Sequence, residues 1–196
     1  MNTHSRLVTE PTTKPTLECP GAVGGSQYSP LAYSPETQAV YVSGVELCMV
    51  LKVEYENNNG EKDFAGDRVV PKEEEKTGTF TAVGVDTGEV LWKHKMPTPM
   101  DGGATATAGG LVFTGDQQGI LYAFDAKTGD DLWQADLKLA FGTAPIIYSI
   151  EGQQYVLATI GGAALTASDE LGEIGAEVVA FKLGGQKLPP GPELKG

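Results

Sequence analysis

The sequence predicts an all-β chain of about three to four four-stranded β-propeller blades, an incomplete ring. A repeat carries most of that prediction. Ala82–Trp92 reads Ala-Val-Gly-Val-Asp-Thr-Gly-Glu-Val-Leu-Trp, and 41 residues later Ala123–Trp133 reads Ala-Phe-Asp-Ala-Lys-Thr-Gly-Asp-Asp-Leu-Trp. A period of ~40–50 residues carried by short strands marks a propeller, because one blade cannot bury both its faces and must stack on neighbours. Tight turns are the second observation: each Thr-Gly sits between two apolar runs, where Gly supplies the positive φ that other residues resist. The third is composition. Gly is abundant at 26 residues, 40% of the chain is hydrophobic, and no run approaches the ~20 apolar residues of a membrane span, so no transmembrane segment is expected.

Taken in order, Met1–Glu18 holds Thr, Pro, Ser and charged residues without an apolar stretch, so it reads as a disordered lead-in or linker and not a signal peptide. Residues 19–183 read as the blades. Ala39–Gly44 is an early strand. Between Lys52 and Gly78 the chain turns polar, with Asn57–Gly60 as a turn and Glu73–Glu75 as a charge run, and this reads as a solvated loop insertion or a lid. The first repeat copy follows. Then Gly110–Gly115, a turn at Asp116–Gly119 and Ile120–Asp125 form a hairpin that leads into the second copy. A turn at Glu151–Gln154 precedes another strand, Tyr155–Ile160. Gly184–Gly196, rich in Pro, Gly and Lys, reads as a flexible tail.

In this grammar the Trp lands on the strand after the Thr-Gly turn. Its ring can wedge between blades while its indole N–H bonds a carbonyl, so Trp92 and Trp133 are each expected mostly buried at equivalent places. Ala123, Asp125, Thr128, Gly129 and Trp133, with Thr87, Gly88 and Trp92 in the first copy, are the blade-docking residues. Asp86, Asp125, Asp130 and Asp131 read as turn formers that accept from backbone N–H groups. His94, between Lys93 and Lys95, is expected on a solvated outer strand, and His4 lies in the lead-in; two isolated His make no metal site. No nucleophile–base pair and no phosphate loop is present. A formal charge of −12 disfavours nucleic acid as a partner, since that affinity draws on Lys and Arg.

Ala-x-Asp-x-x-Thr-Gly-x-x-x-Trp, complete at Ala123–Trp133 and degenerate in the first copy with Gly84 for the Asp, resembles the tryptophan-docking motif of the pyrroloquinoline quinone (PQQ) dependent alcohol and methanol dehydrogenases. Cys19-Pro20-Gly21-Ala22, Ala32–Pro35, Leu47–Met49 and Gly102–Phe113 extend the likeness, in order, over the C-terminal portion of those enzymes. The resemblance implies eight-bladed quinoprotein-type propellers, PQQ with Ca²⁺ or a lanthanide as cofactors, and a periplasmic setting. It also implies a catalytic Asp and metal ligands in blades that do not map onto this sequence, so no catalytic or metal-binding residue is assigned and this chain alone is expected to bind no cofactor. Its partners would be the remaining blades of a longer protein, with self-association as the alternative. Val45 falls where relatives carry a cofactor-contacting Asn, and Asp101 where they carry a Trp near the quinone. Both are substituted, which removes an amide and adds a carboxylate facing a tricarboxylate. Cys19 and Cys48 fall where the family places a disulfide, worth roughly 3 to 4 kcal/mol on the chain-entropy account; two buried thiols are the other reading. The function implied is that of C-terminal blades in an alcohol dehydrogenase-like oxidoreductase, supplying packing and part of the cofactor funnel. A non-enzymatic propeller scaffold that has lost PQQ is the rival.

Overall fold

A computed structural model of the chain describes residues 14–21, 24–26, 28–58, 61–69, 76–161 and 175–185; it holds strands and no helix among them. In chain order these are β1 (Thr16–Glu18), β2 (Ala32–Ser34), β3 (Ala39–Glu46), β4 (Met49–Asn58), β5 (Glu61–Val69), β6 (Thr77–Gly84), β7 (Val90–Met96), β8 (Thr105–Ala106), β9 (Leu111–Gly115), β10 (Ile120–Asp125), β11 (Asp131–Asp136), β12 (Ile146–Ile150), β13 (Gln153–Gly161) and β14 (Ala176–Lys182).

Three antiparallel sheets follow one another along the chain, with strand orders β2-β3-β6-β7, β8-β9-β10-β11 and β12-β13-β14. They are blades one, two and three. The reason is visible in β6, where Gly78, Phe80, Ala82 and Gly84 are buried and the residues between them are half-buried. Side chains on a strand alternate between faces, so β6 presents Phe80 and Ala82 to blade two and its threonines to the other side. One apolar cluster joins blade one to blade two through Tyr41, Phe80, Ala82, Val112, Tyr122 and Phe124. Another joins blade two to blade three through Leu121, Phe141, Ala158 and Ile160. Main chain and hydroxyls add to the first junction: Ala104 N–H donates to the Pro30 carbonyl at 2.9 Å, and Ser43 Oγ lies 3.1 Å from Thr114 Oγ1 in the buried interior.

The repeat is matched in the ladders. Ala82 pairs with Trp92 and Ala123 with Trp133, and in both blades the register shifts at the next residue. These are β-bulges at one position of two blades, where an extra residue re-aims the strand. Between β12 and β13 the link is the two residues Glu151 and Gly152, both with positive φ, as a twisted hairpin of that length demands.

Two expectations are corrected here. The polar stretch 52–78 is not a loop: most of it belongs to an antiparallel arm, β4 with β5, whose ladder runs from Val50↔Val69 to Asn58↔Glu61, and its last two residues open β6. Lys52-Val53-Glu54-Tyr55-Glu56 alternates charged and apolar residues with the period of a strand, a signal masked by its net polarity. Asn57 and Asn58 lie in β4 and not in a turn, while Asn59, Gly60 and the Glu73–Glu75 run lie outside the described residues. The lead-in is not wholly irregular either, for Thr16–Glu18 pairs with β4 to make the separate sheet β1-β4-β5. Cys19 and Cys48 are joined by a disulfide just beyond the end of that pairing. Residues 1–13 and 186–196 lie outside the described residues.

Candidate functional site at the blade seams

The Thr-Gly turn of blade two is built by Asp125. Its Oδ1 accepts from the backbone N–H of Lys127 at 2.8 Å and of Thr128 at 2.9 Å. Those two donors, Thr128 first, hold the carboxyl below the usual carboxylate range. Thr128 Oγ1 donates to Asp130 Oδ2 at 2.8 Å, and Gly129, at φ +79°, turns the chain into β11. In blade one the same turn forms around Gly88 at φ +69°, with Thr87 Oγ1 accepting from Glu89 N–H at 3.1 Å. Gly84 stands where blade two has the carboxylate.

Across the seam, Trp92 Nε1 donates to the Ala126 carbonyl of blade two at 3.2 Å, and the Tyr41 hydroxyl donates to the same carbonyl at 2.9 Å. The Tyr41 proton is committed there, so the Thr37 hydroxyl, 2.6 Å away, donates to Tyr41. Burial, opposed by the Thr37 bond, raises the Tyr41 phenol above its ordinary value. Gly129 is required for a second reason: a Cβ there would come within 2.8 Å of the Trp92 ring. Trp92 is half-buried among Tyr41, Phe80 and Phe124, with ring centroids 5.6–6.3 Å away. His94 is not solvated as expected. It is half-buried, stacks on Phe124 at 5.1 Å, and its Nε2–H donates to the Gly129 carbonyl at 2.7 Å. An open groove of about 350 Å³ continues the seam past Met96 and Gln134.

Trp133 occupies the register position of Trp92, yet it is 39% exposed, against the expectation that both rings are mostly buried. It meets the Phe181 edge at 5.3 Å and an 81° interplanar angle. Of the groups around Trp92, the Ala126 carbonyl and Gly129 belong to the β10–β11 turn of the following blade; residues 162–174, between β13 and β14, lie outside the described residues.

Val45 and Asp101 lie in different surroundings. Val45 is buried with Leu47 and Met49, and its N–H donates to the Gly25 carbonyl at 2.7 Å. Asp101 is buried between β7 and β8, where Oδ2 accepts from Gln117 Nε2 at 2.7 Å and its carbonyl accepts from Ser29 Oγ at 2.6 Å. A tricarboxylate quinone asks its site for cations and donors. Val45 is an apolar side chain and Asp101 an acid bonded to Gln117, so neither side chain itself brings a cation. Among the described residues no group of three His, Cys, Asp or Glu is placed to hold a metal ion.

Sequence reasoning missed a buried carboxylate. Asp116 is fully enclosed, with Oδ1 accepting from Gln118 and Ile120 N–H at 3.0 and 2.9 Å and Oδ2 from the Tyr122 hydroxyl at 2.9 Å. Burial, and next the Asp116 charge, push the Tyr122 phenol far above its ordinary value. Three bonds within its own hairpin describe a structural group, and Asp116 leading a Gly-terminated turn was its signal.

The family profile "Glucose/ethanol/alcohol dehydrogenase, beta-propeller domain", under the heading PQQ, matches residues 88–156. Quinoprotein alcohol dehydrogenase PedE of Pseudomonas putida is 36% identical over 154 residues, which is 76% of this chain and 24% of that protein. A solved quinohemoprotein alcohol dehydrogenase, ADHIIG of Pseudomonas putida, superposes with a TM-score of 0.76 at 25% identity over 93% of this chain and 30% of its own. A europium-containing methanol dehydrogenase superposes with a TM-score of 0.64 at 28% identity, over 76% of this chain and 27% of that one. The chain thus spans about a quarter of the length of the curated relatives it matches. Its stacked blades, the bulged Ala–Trp pairs of its repeat and these relatives agree: the chain belongs to the PQQ-type alcohol dehydrogenase family of β-propellers.

Proposed function

We propose that these blades serve in an alcohol dehydrogenase-like oxidoreductase outside the cytoplasm, the periplasm in a bacterium, as propeller packing and one wall of the cofactor funnel. They contribute no catalytic base of their own. The observation that carries this reading is the seam at Ala126, where Trp92 and Tyr41 of one blade donate to one carbonyl of the next. The docking role of the Thr-Gly-x-x-x-Trp residues follows from it. An oxidising compartment fits the Cys19–Cys48 bond. The purified chain, mixed with PQQ and Ca²⁺ or a lanthanide, is expected to take up no stoichiometric quinone and to oxidise no alcohol with an artificial acceptor. Quinone absorbance co-eluting with the protein on gel filtration would overturn this.

A second reading, a non-enzymatic propeller scaffold, is favoured by Val45 and Asp101, whose side chains bring no cation to a tricarboxylate quinone. A chimera separates the two. These blades replace the matching segment of a quinoprotein alcohol dehydrogenase, and a folded, PQQ-loaded, active chimera supports the enzymatic reading. A folded chimera without PQQ supports the scaffold.

A further inference from the structure

We propose that the Cys19–Cys48 disulfide is a redox-sensitive clamp that holds β1 on the β4–β5 arm, so that reduction releases β1 and turns the first three residues of β4 into an open sheet edge while the blades stay folded. The strand it holds is weak by itself. β1 is three residues long, meets β4 at only Thr16↔Leu51, Leu17↔Val50 and Glu18↔Met49, and leaves Leu17 53% exposed. Its Thr16 hydroxyl turns back to the Lys14 carbonyl. A strand of that length, with Thr16 and Leu17 exposed, rests mainly on its main-chain bonds.

What lies past the cysteines is anchored differently. Gly21 N–H donates to the Leu47 carbonyl and Val45 N–H to the Gly25 carbonyl, both at 2.7 Å, and Gly21 is buried where a Cβ would meet Met49 Cγ at 2.5 Å. This segment stays on β3 whatever the state of the disulfide. The disulfide is therefore the boundary between a part tied to blade one and a part tied to the arm, and among the described residues the ladder partners of the arm are β1, β4 and β5 alone. Such a unit can open without global unfolding.

Cys19 is solvent-exposed and Cys48 half-buried, which makes Cys19 the accessible sulfur. A thiolate of a dithiol donor attacks Cys19 Sγ, the Cys19–Cys48 bond breaks, and the Cys48 thiolate leaves and takes a proton. The donor's second thiolate then attacks its own sulfur in the mixed disulfide, releasing the Cys19 thiol and the oxidised donor. Two electrons pass from donor to cystine.

Hydrogen exchange with mass spectrometry on the full chain, before and after dithiothreitol with thiol alkylation counted by mass, tests the clamp. After reduction the amides of 16–18 and 49–51 are expected to exchange at least ~10-fold faster, with 16–18 reaching the rate of an unstructured peptide, while those of β9 and β10 remain protected. The Cys19→Ser/Cys48→Ser double variant is expected to reproduce that pattern without reductant. Protection of β1 that survives complete reduction would overturn the proposal. So would loss of protection in β9 and β10 together with β1, because the bond would then hold the blades and not the arm.

Discussion

Trp92 and Trp133 hold the same place in two copies of one repeat, paired with Ala82 and Ala123 beside the same bulge, and yet the first ring is half-buried and the second 39% exposed. Around Trp92 the described chain supplies a carbonyl shared with Tyr41, the open face of Gly129, and the rings of Phe80, Phe124 and His94. Around Trp133 it supplies the Phe181 edge. The difference teaches that the repeat motif sets where the ring stands, whereas the neighbouring blade sets how much the ring contributes.

The comparison breaks most sharply if the two tryptophans are truncated. Trp92→Ala is expected to cost about 3 to 5 kcal/mol, the range for emptying a large aromatic site, and Trp133→Ala about 1 to 2 kcal/mol, near the worth of a partly exposed aromatic pair. Urea unfolding of both variants checks this, and equal losses would erase the distinction. A smaller effect sharpens the first seam. Tyr41→Phe removes one of two donors from Ala126 and is expected to cost about 1 kcal/mol, with a double-mutant cycle against Trp92→Phe showing coupling through the shared acceptor.

Smaller still is the turn itself. The folded-state pKa of Asp125 lies below its ordinary value, so the stability it adds is complete above the unfolded carboxylate value of ~3.9 and is lost as pH falls through the lower folded value. The advantage of the native protein over Asp125→Asn should therefore persist at neutral pH and vanish in acid; an advantage that grew in acid would contradict the sign. The least change is expected from Gly84→Asp, which gives blade one the missing carboxylate but brings a Cβ within 2.9 Å of Thr87 Oγ1. Gain and crowding offset one another, leaving thermal unfolding within roughly 0.5 kcal/mol of the native value.

The blades were legible because strand period, Gly turns and the Trp spacing all act locally. What escaped depends on partners that leave no letter. The acceptor for Trp92 and Tyr41 is a main-chain carbonyl, so nothing about Ala126 in the sequence announces it. His94 read as solvated between Lys93 and Lys95, but on β7 it points with Trp92 and Met96 toward blade two while the lysines point away. The β4–β5 arm was hidden by its charge, although its alternation was present. At Val45 and Asp101 the substitutions were legible and their surroundings were not: only the fold shows that Gln117 and Ser29 are bonded to Asp101.

Two side chains of one blade converge on a single backbone oxygen of the next, and this bears on how such a chain diverges. An interface that reads a peptide group is indifferent to the identity of most residues around it, provided the chain follows the same path and stays small at Gly129 and Ala126. Duplicated units are then free to drift apart in composition, as Gly84 has from Asp125, without losing the ability to stack. Sequence memory in this lineage should fade fastest in the letters between the turns and slowest in those that keep the path of the backbone.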